Sequence, residues 1–395
     1  MTTTPLRMGV AGLGRAFTIM LPTFLQDERV RLVAAADPAP HARARFQSDF
    51  GAPVFESVEA LCASSEVEVI YLATPHQFHA EHVCLAAAHG KHVLVEKPMA
   101  ISVHECTRMV DAVRASGVHL VVGPSHSFDA PILRTRELIA RGRYGKVRMI
   151  HAMDFTDFLY RPRRPEELRT DTGGGVVHSQ AAHQIDVVRL LGGGMVSSVR
   201  ACTGAWDPAR PTEGAYSVLL DFEGGAFCSA TYSGFAHYDS DVLMDGIGES
   251  GELKDPAQYG AARRRLLAGL QTQAESELKA QRNYGGPQYV PPALVAPQAH
   301  QHFGHIVVCC DGGDLRPSAH GVEIFADEQR TFEALPPPPI PRKEVIDELH
   351  RVLRDGAQPV HSAEWGRATT EVCLAILEAA RTGASVLPRH QVSAS

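Results

Sequence analysis

Along the first third of the chain, short β-branched and apolar runs alternate with stretches whose apolar residues recur at helical spacing. Residues 7–11, 30–36, 67–73, 92–95 and 119–122 read as strands, and 81–89 and 103–116 carry apolar positions three and four apart. Strand and helix in strict alternation predict βαβ units, and therefore a parallel sheet covered by helices on both faces. The alternation ends near Gly123, so a first domain is expected over 1–123 and a second over 124–395.

Past that point 131–141 reads as a helix, 146–155 as a strand and 182–191 as a helix stopped by the glycines 192–194. Segments 197–205, 216–222, 226–232, 241–246, 320–326 and 329–332 then read as strands joined by Gly- and Asp-rich turns, which predicts a large, mainly antiparallel sheet in an α+β domain. Residues 257–282 read as an inserted helix and 285–297 as a Pro-rich loop, with no role legible for either. A Pro-rich connector, 335–341, leads to helical patterns over 342–355 and 363–382 that are expected to pack back on the first domain.

Composition narrows the class of partner. With 44% hydrophobic and 21% charged residues among 395, the chain has the makeup of an ordinary globular protein with room for two domains. A net charge of −7 is the wrong sign for a surface that neutralises phosphates, so a small molecule is expected rather than nucleic acid. No apolar run approaches the roughly 20 residues of a membrane span, and residues 1–7 lack a signal-peptide core, so a cytoplasmic protein without membrane contact is expected. The eight cysteines are scattered, and Cys309–Cys310 lacks metal or redox spacing, which reads as reduced thiols.

The first candidate chemistry is Gly9-Val-Ala-Gly12-Leu-Gly14, placed where the first strand hands over to the first helix, with Asp37 at the end of the second strand. This is a dinucleotide fingerprint in its required context. Gly12 and Gly14 let the backbone approach a pyrophosphate at a helix N-terminus, and Asp37 accepts hydrogen bonds from ribose hydroxyls. Because Pro38 rather than an arginine follows the acid, a 2′-phosphate would meet a bare carboxylate, and NAD is expected over NADP. The third glycine position is Phe17, a departure that predicts altered helix–strand packing.

The runs Val93-Leu94-Val95-Glu96-Lys97-Pro98, Ala73-Thr74-Pro75 and His89-Gly90-Lys91-His92, followed by Gly145-Lys146-Val147 and Gly173-Gly174-Gly175, resemble the glucose-fructose oxidoreductase / inositol dehydrogenase / MocA family. The likeness covers the first domain nearly end to end and continues to Leu191. It implies an α/β fold with an N-terminal Rossmann domain, NAD-dependent oxidoreductase activity and a homodimer or homotetramer. It adds Arg15, Ala16, Thr74, Pro75, His79, Glu96 and Lys97 to the cofactor contacts. Lys97 carries over as the lysine that faces substrate beside the nicotinamide, where an ammonium can stabilise an alkoxide; a solvated surface lysine is the alternative. An X-Pro bond such as Lys97–Pro98 is also where a cis peptide can occur.

The family's second signature, an Asp and a His one helical turn apart, falls here on Ser179 and His183. His183 carries over as the proton acceptor. Ser179 cannot hold an imidazole by charge, which leaves open what replaces the acid. His178 and Gln180 are candidates for the missing polar contacts, and His126 for a further substrate contact. No metal is expected, since His178 and His183, five apart, fall off one α-helical face.

Between 155 and 173 the acidic protein turns basic: Phe158, Tyr160, Arg161, Arg163, Arg164 and Arg169 precede the helix that bears His183. Arginine forks fit carboxylates and aromatic rings pack on rings, although a solvated turn with Glu166 and Glu167 as partners explains the same residues. This stretch resembles the family's bacterial phthalate cis-4,5-dihydrodiol dehydrogenases, which implies a small anionic cyclic diol as substrate. A sugar or inositol dehydrogenase and a non-catalytic NAD sensor are the alternatives.

Overall fold

The computed structural model describes residues 4–394 and contains two compact units. The first is built from the chain up to 124 together with 276–296 and 340–367. Its strands are β1 (Leu6–Ala11), β2 (Val30–Ala36), β3 (Val54–Phe55), β4 (Val69–Leu72), β5 (His92–Val95) and β6 (Leu120–Val122). They pair in parallel in the order β3-β2-β1-β4-β5-β6, the doubly wound order of a dinucleotide-binding sheet. Central strands are apolar on both faces because helices cover both: Met8, Val10, Ile70, Leu72, Val93 and Val95 are all fully buried. The crossover helix Val103–Ser116 shows how local sequence sets its ends. Ser102 accepts from the Glu105 N–H and donates to its carboxylate, and Gly117 at φ 68° closes the helix.

Two distant segments complete this unit. The Thr23 hydroxyl donates to the Pro341 carbonyl at 2.6 Å, Arg354 pairs with Glu68 at 2.6 Å, and the Val122 N–H donates to the His361 carbonyl. From 276–296 comes Tyr284, fully buried, which packs on Phe17 and Phe46 and donates its hydroxyl to Asp49. The bulky Phe17 is thus part of an aromatic cluster that the insertion closes.

The second unit comprises 125–275, 297–339 and the chain from 368. Its sheet holds β7 (Val147–Phe155), β8 (Val196–Gly204), β9 (Ala215–Phe222), β10 (Phe227–Ser233), β11 (His305–Cys310), β12 (Gly313–Ser318), β13 (Gly321–Phe325) and β14 (Arg330–Ala334). The order is β14-β13-β12-β11-β7-β10-β9-β8, antiparallel throughout except where β10 runs parallel to β7. The helix Ala182–Gly192 is buried all round, with Arg189 fully enclosed and bonded to Thr369 and Gln391.

The structure departs from the sequence reading at three places in this region. The apolar stretch read as a strand over 241–246 is a 3₁₀ turn, Ser240–Met244, whose Val242 and Leu243 face solvent. β11 and β12 were not anticipated, because Cys309, Cys310, Gly313 and Pro317 dilute their strand pattern. The inserted helix is two helices, Ala261–Leu270 and Glu275–Ala280.

Candidate functional site

In the first unit the nucleotide cradle follows from two glycines with different reasons. Gly12 sits at φ 93°, and a Cβ there would lie 2.7 Å from the Ala73 carbonyl oxygen, so only glycine lets the β1 turn pass β4. At Gly14, which caps the helix Arg15–Gln26, a Cβ would point into open space. That opening, at the positive end of a helix, is where a pyrophosphate fits. Asp37 is locked beside it: one carboxylate oxygen accepts from the Leu13 N–H and the other from the Ala39 N–H, both at 2.7 Å. Each oxygen retains a lone pair for a ribose hydroxyl. The acid is less isolated than its sequence neighbours imply, since Arg43 reaches back to the carbonyl oxygens of Asp37 and Pro38 and pairs with Glu56.

The remaining expected cofactor contacts divide by where their side chains go. Arg15 is exposed and Ala16 half-buried on the first helical turn. Thr74 and Pro75 follow β4, with the Thr74 hydroxyl on His82 Nδ1 at 3.0 Å. His79 is fully buried and its two ring nitrogens lie 2.9 Å from the Thr74 carbonyl and 3.0 Å from the Pro98 carbonyl, so it ties the loop after β4 to the loop after β5. Glu96 turns its carboxylate into the core onto the Tyr71 hydroxyl at 2.5 Å, and burial raises its pKa. Lys97 is half-buried at the end of β5, and the Lys97–Pro98 peptide is cis.

The second unit assembles a compact polar cluster around two histidines. His126, at the start of a 3₁₀ turn, lies with Nδ1 2.7 Å from Asp129 and Nε2 3.5 Å from Glu249. Its ring meets His183 edge-on at 4.8 Å, and Phe303 packs against both rings at 5.2 and 5.1 Å. One ligating atom each from His126, His183 and Glu249 fall within 4.8 Å of one another. Burial pulls the His126 pKa down, but the two carboxylates outweigh it and hold the imidazole up at about 9. Asp154 on β7, buried and close to Glu249 and Asp241, is pushed up to about 8.

Other expected residues land elsewhere. His178 is buried in the π-helical turn Val177–Ala181, and burial pulls its pKa down to about 4, which makes it a poor proton acceptor near neutrality. That π turn adds a residue to the turn before His183, so the α-helical spacing argument for 178, 179 and 183 does not apply. Gln180 donates to the Tyr232 hydroxyl at 3.0 Å, and Ser179 is half-buried.

The arginines separate as well. Arg164 pairs with Glu166 at 2.9 Å and Arg169 with Asp171 on the surface, which is the solvated-turn alternative realised for these two. Arg161 joins Asp157 to Glu249, and Tyr160 donates to Asp207 beneath the Arg263 guanidinium. Arg163 differs: its guanidinium lies 3.6 Å over the Phe158 ring and donates to the Phe158 carbonyl, and among the described residues it forms no ion pair within 4.0 Å.

Sequence reasoning missed Glu249 and Asp129. What replaces the acid at Ser179 was left open by the sequence, and the structure offers a candidate in Glu249, whose carboxylate lies within 4.8 Å of His183. A legible signal existed in Gly246-Ile-Gly248-Glu249-Ser-Gly251, an acid ringed by turn-forming glycines.

Comparisons with known proteins agree with this geometry. Residues 6–124 match the family model described as "Oxidoreductase family, NAD-binding Rossmann fold", and 132–254 match the "GFO/IDH/MocA C-terminal domain". The chain is 49% identical over 374 residues to the 1-carboxy-3-chloro-3,4-dihydroxycyclohexa-1,5-diene dehydrogenase of Comamonas testosteroni, covering 94% of each. A crystal structure described as that of "the putative dehydrogenase from Bordetella bronchiseptica RB50" superposes with a TM-score of 0.90 at 39% identity, over 98% of this chain and 100% of that one. The fold is shared with WlbA dehydrogenase of Bordetella pertussis, solved with NADH and UDP-GlcNAcA, at a TM-score of 0.68, 21% identity and coverage of 98% and 99%.

Proposed function

The chain belongs to the Gfo/Idh/MocA family of NAD-binding oxidoreductases, and from that premise we propose that it oxidises a ring-carboxylated cyclic cis-dihydrodiol, phthalate cis-4,5-dihydrodiol in particular, to the dihydroxy-aromatic acid. The observation that carries the substrate class is Arg163, a half-buried cation that forms no ion pair within 4.0 Å among the described residues, on the same Phe158 ring as Arg161, which reaches Glu249. A substrate carboxylate is the partner such a guanidinium lacks. The carboxylated cyclic dihydroxydiene in the name of the Comamonas relative supports the same class.

NAD, when bound, accepts the hydride from the carbinol carbon. By the family resemblance, His183 is the residue that would take the hydroxyl proton and Lys97 the one that would steady an alkoxide. The hydroxydienone released rearranges to an aromatic ring, which makes the oxidation strongly downhill. We further propose a homo-oligomer joined through the large sheet, where Met149, Leu219 and Phe227 are exposed. Among the described residues no helix is long and apolar enough to cross a membrane.

The test is NADH formation with phthalate cis-4,5-dihydrodiol, a monocarboxylated cis-dihydrodiol, an uncharged cis-dihydrodiol and myo-inositol. A kcat/KM at least a hundredfold higher for the carboxylated diols is expected. Equal rates on neutral and carboxylated diols, or turnover of inositol alone, would sink the proposal.

A further inference from the structure

We propose that Glu249 supplies the carboxylate that position 179 lacks, acting as the positioning residue that orients His183 for proton acceptance, with the His126–Asp129 pair behind it. The inference rests on the dihydrodiol-oxidation reading for the direction of proton flow.

The backbone aims this side chain. Glu249 stands on a tight turn in which the Gly248 N–H donates to the Glu252 carbonyl and the Gly251 N–H to the Gly248 carbonyl, while Ile247 bridges Leu253. His302 fastens the turn, with Nε2 2.9 Å from the Ile247 carbonyl oxygen and its own N–H donating to the Glu249 carbonyl. Gly251 sits at φ 87°, and a Cβ there would fall 2.6 Å from the Ala299 carbonyl oxygen, so the turn cannot drift. Held this way, the carboxylate reaches His126 with one oxygen and Arg161 with the other, each at 3.5 Å, and lies within 4.8 Å of His183. Phe303 fixes both imidazole planes.

The charges around the cluster make sense of the arrangement. Asp129 and Glu249 face the cations His126 and Arg161, and Asp154 is held protonated by burial at neutral pH. Behind the turn, Asp241 and His302 approach each other at 3.9 Å, and Lys254 pairs with Asp241. In the oxidation the carbinol C–H pair leaves as hydride to NAD, the O–H bond breaks, C=O forms, and the proton goes to a His183 ring nitrogen. The imidazolium then forms beside Glu249, whose carboxylate stabilises the charge. The same three ligand atoms could instead gather a divalent metal, but Arg161 already occupies one carboxylate oxygen and His126 already lies between two acids.

The experiment uses the full chain with NAD and compares Glu249→Gln with Glu249→Asp. Histidine NMR titrations, which need no substrate, should show the His126 and His183 pKa values falling by about one unit or more in Glu249→Gln and largely restored in Glu249→Asp. With the best diol, Glu249→Gln should lose about 10²–10³ in kcat with the KM for NAD unchanged, and Glu249→Asp should recover at least tenfold of that loss. Wild-type histidine titrations in Glu249→Gln would overturn the proposal, as would a kcat within threefold of wild type. A stoichiometric divalent metal that co-purifies and is lost in Glu249→Gln would also overturn it, making Glu249 a ligand. If no carboxylated diol is turned over, the function proposal fails while the titrations still decide the role of Glu249.

Discussion

The ring of Tyr284 closes edge-on against the ring of Phe17, 5.1 Å between centroids, at the position where a dinucleotide fingerprint ordinarily places its third glycine. The two residues are far apart in sequence, and the insertion that carries Tyr284 is what makes Phe17 tolerable. Tyr284→Ala should destabilise the nucleotide-binding unit by about 3–5 kcal/mol, the usual loss for emptying a buried aromatic site. Tyr284→Phe, which loses only the bond to Asp49, should lose about 1 kcal/mol. Urea unfolding of both variants checks the difference.

Asp37→Ser should shift cofactor preference toward NADP without any added arginine. The serine removes the charge that repels a 2′-phosphate, and Arg43 is already anchored to the carbonyl oxygens of residues 37 and 38. NAD affinity should fall about tenfold, and the ratio of kcat/KM for the two cofactors reports the switch. An unmodified protein that used both equally well would remove Asp37 from this role.

Lys97→Met should abolish turnover and leave NAD affinity within a few-fold, since the cofactor is held by the Gly12–Gly14 turn and Asp37. Fluorescence titration with NADH separates binding from catalysis here.

Arg163→Ala should raise the KM for a carboxylated diol by about 30- to 100-fold, equivalent to about 2–3 kcal/mol, and leave an uncharged diol unaffected. Arg169→Ala should be silent, because that side chain sits in solvent on Asp171. Steady-state kinetics on the paired substrates distinguishes the two arginines.

Stability should fall as pH rises from about 6.5 to 9. His126 has its pKa raised from the ordinary 6.5 to about 9, so its contribution is full below 6.5 and lost by 9. Asp154 is raised from 3.8 to about 8, so the fold favours its protonated form and gives up that preference between those values. Thermal denaturation across pH 6–10 should show a Tm that declines toward alkaline pH, with a shallower decline for Asp154→Asn.

The nucleotide turn was legible because its signal is local, glycines at fixed offsets and an acid one strand later within the first 37 residues, and the parallel sheet because β-branched runs recur between helical patterns up to residue 122. The mainly antiparallel sheet was legible in kind but not in full, since β11 and β12 carry cysteines, glycine and proline instead of a clean alternation. At the candidate site, His126 and His183 were visible as single residues. Glu249 was not, because it reaches them only through a turn 66 positions beyond His183, just past a segment that reads as a strand but is a 3₁₀ turn. The arginine cluster illustrates the converse. Four similar residues in sequence have separate fates, set by which acids the fold pairs with each one: Glu166 with Arg164, Asp171 with Arg169, Asp157 and Glu249 with Arg161, and no ion pair within 4.0 Å for Arg163 among the described residues.

The nucleotide-binding unit draws on the beginning, the 276–296 segment and the 340–367 segment of the chain, and this sets a timetable for biosynthesis. When residue 124 leaves the ribosome all six strands of the parallel sheet exist, yet the aromatic cluster around Phe17 waits for Tyr284, and Glu68 and Val122 wait for Arg354 and His361. The nascent sheet therefore spends most of translation with apolar surface uncovered, an interval in which a holding chaperone would find its purchase.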